Sequence, residues 1–300
     1  MNPHILWALC IAFAATLWWL DGVVLTPRLY NLDLNFVVFM LHLIPFVLMN
    51  IVLWEEAKKV KEFHLKQIGL LAAIAFFWGI LWTLSIVKAV FLVHFDGLSV
   101  VALLQKLQPV IAITLAYFFL KEKPTKYFLF WASLAIVASY FLVFGVNMPN
   151  FQGNSDYFKA MAFALVAALS FGSATVLGKL AVKEFSFQTV TYYRFGITAF
   201  LMFFVVLFTG NLFTFEHVTM ANWITFLIIA FTTGSGAIFL YYYGLKKVNA
   251  MTATLCELMF PVSTVIFDYV VNQHTLSYVQ LGAAAVIIGS VIALNWKSSK

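Results

Sequence analysis

Apolar runs of helix length alternate with short polar stretches along all 300 residues. Ten such runs are predicted, near 5–22, 34–54, 67–88, 98–120, 126–146, 157–178, 188–209, 221–244, 250–271 and 278–296. A bilayer-spanning helix needs about 20 apolar residues, so each run is read as a span. The connections are short and leave no room for a soluble domain. The longest lies between the fifth and sixth runs and contains Pro149 and Gly153. It divides the chain into residues 1–147, a linker 148–156, and residues 157–300.

Charge follows the same alternation. With the N-terminus placed inside, the inner connections hold Lys58, Lys59, Lys61 and Lys66; Lys121, Lys123 and Lys126; Lys179 and Lys183; Lys246 and Lys247; and Lys297 and Lys300. The outer side holds Arg28, Lys88 and Lys159, while Lys106 and Arg194 fall within spans. Lysine and arginine favour the cytoplasmic side, so both termini are expected inside a plasma membrane, the inner membrane of a bacterium.

The two halves repeat one another. Gln105-Lys106-Leu107-Gln108-Pro109-Val110 in the fourth run is matched by Glu257-Leu258-Met259-Phe260-Pro261-Val262 in the ninth. The third run of each half carries a glycine at matching places, Phe76-Phe77-Trp78-Gly79 and Phe231-Thr232-Thr233-Gly234. Trp18 and Phe171 hold matching places in the first run of each half. Five spans per half is an odd number, so the halves are expected to be inverted relative to each other. The predicted fold is all-α and integral to the membrane: ten transmembrane helices as two inverted five-helix repeats around a central cavity.

Composition agrees. The chain is 63% hydrophobic and only 10% charged, against about 25% charged in soluble domains. The net charge of +6 comes from clusters between apolar runs rather than one basic face, which excludes nucleic acid as a partner. Cys10 and Cys256 lie inside apolar runs and form neither a disulfide framework nor a metal site by spacing. No phosphate loop, zinc spacing or nucleophile elbow is present, so no enzyme activity and no cofactor are expected.

Polar groups inside the runs are the candidates for chemistry, because charge in hydrocarbon is costly. Glu257 is read as a counterion for a substrate ammonium or as a proton carrier; the structural alternative is an ion pair with Arg194. Lys106 meets a substrate carboxylate, pairs with Glu257 in the empty carrier, or reaches headgroups or a carbonyl. Gln105 and Gln108 hydrogen-bond substrate or join helices. Pro109 and Pro261 each remove a backbone hydrogen bond and mark hinges or static kinks. Trp18, Trp78, Trp82, Phe171 and Tyr242 offer faces for an ammonium or an aromatic group; of Tyr241, Tyr242 and Tyr243, at least one must turn inward. His42 is a packing residue or a proton site. Asp21, Lys88, His94, Asp96 and Asp268 lie near outer ends, solvated or in a gate. Arg194 is read as an anchor of the cytoplasmic half.

The chain resembles the EamA-type branch of the drug/metabolite transporter superfamily. The resemblance rests on the Pro109-Val110 and Pro261-Val262 boxes, Lys121-Glu122-Lys123-Pro124-Thr125, Tyr193-Arg194-Phe195, Tyr242-Tyr243-Gly244-Leu245-Lys246 and Leu281-Gly282-Ala283-Ala284. The second half departs from it in ending its fourth helix with Gln273-His274-Thr275-Leu276-Ser277. The resemblance implies alternating access by a secondary carrier of a small organic metabolite, with export the favoured direction. From the residues, the cargo is expected to be an amino acid or related amine. Facilitated uptake of a cationic or quaternary-amine metabolite is the alternative; a lipid-acting membrane enzyme or a channel are the alternatives of another class. Coupling to a proton or to the substrate gradient alone, and a monomer or a homodimer, are all open at this point.

Overall fold

A computed structural model describes residues 3–92, 101, 104–147, 155–263 and 277–297. His94, Asp96, Asp268, residues 273–276 and most of the expected linker, 148–154, lie outside the described residues. All regular structure described is helical. The main helices are α1 (Pro3–Leu20), α2 (Leu34–Val52), α3 (65–92), α4 (Gln108–Phe119), α5 (Lys126–Phe144), α6 (Ser155–Glu184), α7 (Phe187–Phe208), α8 (Met220–Leu245), α9 (Ala250–Ser263) and α10 (Tyr278–Lys297). Seven of these are long and apolar enough to cross a bilayer; α1, α4 and α9 are shorter apolar helices.

The helix starts are written in the sequence, and the same device recurs in both halves. Asp33 caps α2, accepting from the Asn35 and Phe36 amides, and Ser186 caps α7 through the Thr189 amide. Reciprocal capping boxes open α3 (His64 with Gln67) and α8 (Thr219 with Asn222). Thr125 caps α5, and Ser277 does the same for α10. Each satisfies amides that have no partner inside the helix. Ser277 therefore does the work of Thr125 despite the different loop before it.

Interruptions recur too. Proline clashes with the carbonyl four residues before it and donates no hydrogen bond. Pro109 sits in the first turn of α4, just after a non-helical turn at Lys106–Leu107, and Pro261 follows a turn at Glu257–Leu258. The Phe260 amide bonds the Glu257 carbonyl three residues back, a tightened turn. In the third helix of each half the chain widens instead. Residues Ala75–Trp82 of α3 form a π-helical stretch, and in α8 the Gly234 amide reaches back to Ile229 and that of Ala237 to Thr232.

Packing joins the halves in antiparallel pairs. α2 lies on α7, α4 on α9 and α5 on α10, while α1 packs on α8 and α3 on α6. Exchanging each helix for its counterpart in the other half leaves this set unchanged. Direction is settled by individual bonds. Tyr127 donates to the Ala293 carbonyl, and Gln280 to that of Leu142, so α5 and α10 run oppositely. Gln108 meets Thr254, while Glu122, past the other end of α4, accepts from the Ala250 and Met251 amides at 2.9 and 3.0 Å. The acidic residue of Lys121-Glu122-Lys123-Pro124-Thr125 is thus the anion at the positive end of α9.

Aromatic side chains fill the middle of the bundle, while the apolar grooves formed by these residues lie between α5 and α10 and between α1, α8 and α9. The tryptophans and tyrosines there are large and pack against one another.

Candidate functional site

Glu257 sits at the break in α9 and is 3% exposed. Its carboxylate accepts from Gln108 Nε2 at 2.5 Å and the Tyr241 hydroxyl at 2.6 Å, and from Thr175 Oγ1 at 3.2 Å. Gln108 also donates to Thr254 at 2.9 Å. All these donors are neutral. They come from α4, α6 and α8, so with α9, which carries Glu257, four helices from both halves meet at one carboxylate.

Local sequence explains the convergence. Gln108 leads α4 immediately before Pro109, so its side chain leaves the helix where the backbone is already interrupted. Thr175 lies one turn beyond Phe171 on α6 and shares its face. Gly172 brings α6 close: a Cβ there would stand 3.0 Å from the Gln108 carbonyl and 3.1 Å from the Ala112 amide nitrogen.

Beside the carboxylate lies a box of rings. Trp18 approaches Trp78 at 5.9 Å, Phe171 at 6.0 Å and Tyr241 at 5.5 Å. Trp78 meets Phe171, Tyr241 and Tyr242 at 5.3, 5.2 and 5.8 Å, mostly edge to face. Trp82 stacks on Phe171 at 5.3 Å and 27°. The π-helical turns of α3 carry both tryptophans, and such insertions gather at functional sites.

Arg194 forms the far wall. Its guanidinium carbon stands 4.1 Å from the centre of the Trp78 ring and 5.4 Å from that of Phe195. The side chain is 4% exposed, and its Nε and Nη1 find no hydrogen-bond partner among the described residues. A desolvated cation–π contact is worth about 2 kcal/mol, whereas burying an ion costs several. Even with the Tyr242 hydroxyl beside the guanidinium, stacking leaves Nε and Nη1 without acceptors among the described residues. Its neighbour Tyr193 anchors the motif instead, donating to the Glu56 carbonyl at 2.7 Å.

The sequence candidates divide cleanly. Trp18, Trp78, Trp82, Phe171, Tyr242, Gln108 and Glu257 are brought together. Gln105 is half-buried and makes no side-chain hydrogen bond among the described residues. Lys106 lies at the break in α4, with Nζ 6.0 Å from the Phe260 ring centre. The suggested pair between Lys106 and Glu257 is not formed, nor is one between Arg194 and Glu257. The ion pairs among the described residues are Lys58–Glu55, Lys59–Glu56 and Lys159–Asp156. Neutral donors reach both Glu257 oxygens in place of either cation. Arg194, expected as an anchor of the cytoplasmic half, lies over Trp78 at the edge of the ring box. His42 is spent within α2, its Nδ1 2.8 Å from the Val38 carbonyl. Past the end of α1, Asp21 accepts from Thr26 at 2.8 Å.

Tyr241 entered the sequence reading only as one of three consecutive tyrosines, and Thr175 and Thr254 were not singled out. Their signals were a helical step from a candidate: Thr175 follows Phe171 by four residues, and Thr254 precedes Glu257 by three. Of the three consecutive tyrosines, Tyr241 and Tyr242 are fully buried and Tyr243 is 38% exposed.

Apolar helices, interrupted spans and a buried polar centre define an all-helical, multi-pass membrane protein. The EamA-like transporter family matches residues 2–144 and again 158–296, and the chain belongs to that family, a transporter rather than an enzyme. It is 48% identical to the riboflavin transporter ImpX of Fusobacterium nucleatum over 98% of this chain and 99% of that one. An uncharacterized transporter of Clostridium kluyveri is 27% identical over 87% of this chain and 84% of its own. A solved crystal structure shares the fold with a TM-score of 0.70, covering 96% of each chain at 16% identity.

Proposed function

We propose that the protein carries riboflavin or a close flavin relative across the plasma membrane by alternating access, in place of the amino acid or amine expected from sequence. Ten spans in two inverted repeats, 1–147 and 157–300 joined by 148–156, would rock about the central box, with Pro109 and Pro261 as hinges. The antiparallel pairing of equivalent helices supports this arrangement. The lysine asymmetry supports termini on the cytoplasmic side.

The observation that carries the cargo is the meeting of Trp18, Trp78, Phe171 and Tyr241 beside one carboxylate. A flat tricyclic ring is matched by several ring faces and edges; an aliphatic amino acid has no surface that needs them. The 48% identity with a riboflavin transporter favours the same choice. Riboflavin is uncharged at neutral pH, so its concentration gradient alone can drive movement, outward or inward, without a coupled proton.

Proteoliposomes loaded with unlabelled riboflavin test this. Saturable counterflow of external labelled riboflavin is expected, which also excludes a channel. Counterflow of amino acids or choline with none of riboflavin overturns the reading. The second reading, a cationic amine as cargo, is favoured by one fact: Glu257 has no cationic partner among the described residues. It requires that Glu257→Gln abolish exchange of the amine.

A further inference from the structure

We infer that Arg194 reads the carbonyl-bearing edge of the cargo, so that the site selects a flat heteroaromatic imide and is indifferent to the sugar-alcohol chain. This rests on the flavin reading above. Arg194 is buried over the face of Trp78, with Nε and Nη1 lacking partners among the described residues, and none of the ion pairs there involves it. Orphaned donors on a buried cation are costly, and a ligand acceptor relieves them.

The opposite wall is an acceptor. Trp78 packs on Tyr241, whose hydroxyl is held by Glu257, so the donor wall and the carboxylate flank one tryptophan. The pyrimidine ring of a flavin carries two carbonyls and a ring-nitrogen acceptor around one N–H. A guanidinium meets a carbonyl and its neighbouring ring nitrogen with two parallel N–H groups, and a carboxylate accepts the N–H. The chain on the middle ring has only hydroxyls, each needing polar neighbours. Around Trp18, Trp78, Phe171 and Trp82 the walls are rings, which offer few such partners. The chain therefore contributes little to binding.

The test is binding to the purified full-length protein, read by tryptophan fluorescence and thermal shift. The probes are riboflavin, lumiflavin (the same ring without the chain) and phenazine (a tricycle without carbonyls). Wild-type protein is expected to bind lumiflavin within about threefold of riboflavin. Arg194→Gln is expected to weaken both flavins by at least about tenfold and to leave phenazine unchanged. Without ligand its Tm should equal or exceed that of wild type, because an uncompensated buried charge has gone; a structural role requires the reverse. Arg194→Lys, which keeps the charge but loses the planar fork, should weaken the flavins while sparing phenazine, and it serves if the glutamine variant does not fold. Unchanged riboflavin binding by either variant overturns the inference, as does lumiflavin binding more than about tenfold weaker than riboflavin. Wild-type protein that binds no flavin overturns the cargo assignment and this inference together, whereas the Arg194 outcomes bear on this inference alone.

Discussion

Gln108 and Glu257, 149 residues apart, share a hydrogen bond at the place where two equivalent helices are interrupted. Gln108 opens α4 after its break, and Glu257 forms the break in α9. The bond ties the first half of the chain to the second at the most buried carboxylate of the site, where a change in packing between the halves would be felt first.

Replacing Glu257 by Ala leaves Gln108 Nε2 and the Tyr241 hydroxyl without their acceptor. Unsatisfied buried donors cost about 1–3 kcal/mol each. Thermal unfolding in detergent should show a lower Tm, and riboflavin counterflow should be lost. Glu257→Gln keeps the shape and should melt closer to wild type. Equal melting temperatures for the alanine variant and wild type would contradict the network.

Tyr241→Phe removes one donor and leaves the ring in the box. A stability loss of about 1–2 kcal/mol is expected. Flavin affinity should fall less than in Arg194→Gln, since the ring contacts with Trp18 and Trp78 survive. Titration of both variants with riboflavin checks the order.

Gly172→Val places carbon against the Gln108 carbonyl, Ile111 and the Ala112 amide. Forcing α6 away from α4 should cost about 1–3 kcal/mol and slow transport. A valine variant with wild-type Tm and rate would show that this close approach does not matter.

Glu122→Gln weakens the charged cap on α9. Its two bonds to the Ala250 and Met251 amides are worth about 1–2 kcal/mol. The loss should appear as a lower Tm with the same flavin affinity per folded molecule, because the site lies further along α9. An affinity that falls in step would tie the cap to the site directly.

Lys123 and His217 lie beyond the ends of α4 and α7 and should face opposite sides of the membrane. In a background without Cys10 and Cys256, Lys123→Cys should react with an impermeant thiol reagent only from the cytoplasm. His217→Cys should react only from outside. Labelling of both from one side would overturn the inverted arrangement.

Much of the fold was legible because helices in a membrane are written locally. Asp33, Ser186, Thr125 and Ser277 mark starts, since an amide without a partner is met by the nearest side-chain oxygen. Pro109 and Pro261 mark interruptions, because proline breaks the hydrogen-bond ladder whatever surrounds it. Trp18 and Phe171 were found by their equivalent places in the halves. The site was legible in composition and less so in pairing. Glu257 was expected to meet a substrate ammonium or carry a proton, with Arg194 or Lys106 as alternative partners, but three neutral side chains from three other helices hold it.

Local sequence sets the helices, the breaks and the polar residues that had to avoid lipid, because each depends on neighbours within a turn or two, and comparing the halves reveals their duplication. The packed molecule adds that Gln108, Thr175 and Tyr241 hold Glu257, that Arg194 lies on Trp78, and that rings gather beside them. Periodicity says which side chains share a face of one helix. Which face meets which is set by the packing of all the helices at once, and no segment of the chain contains that information alone.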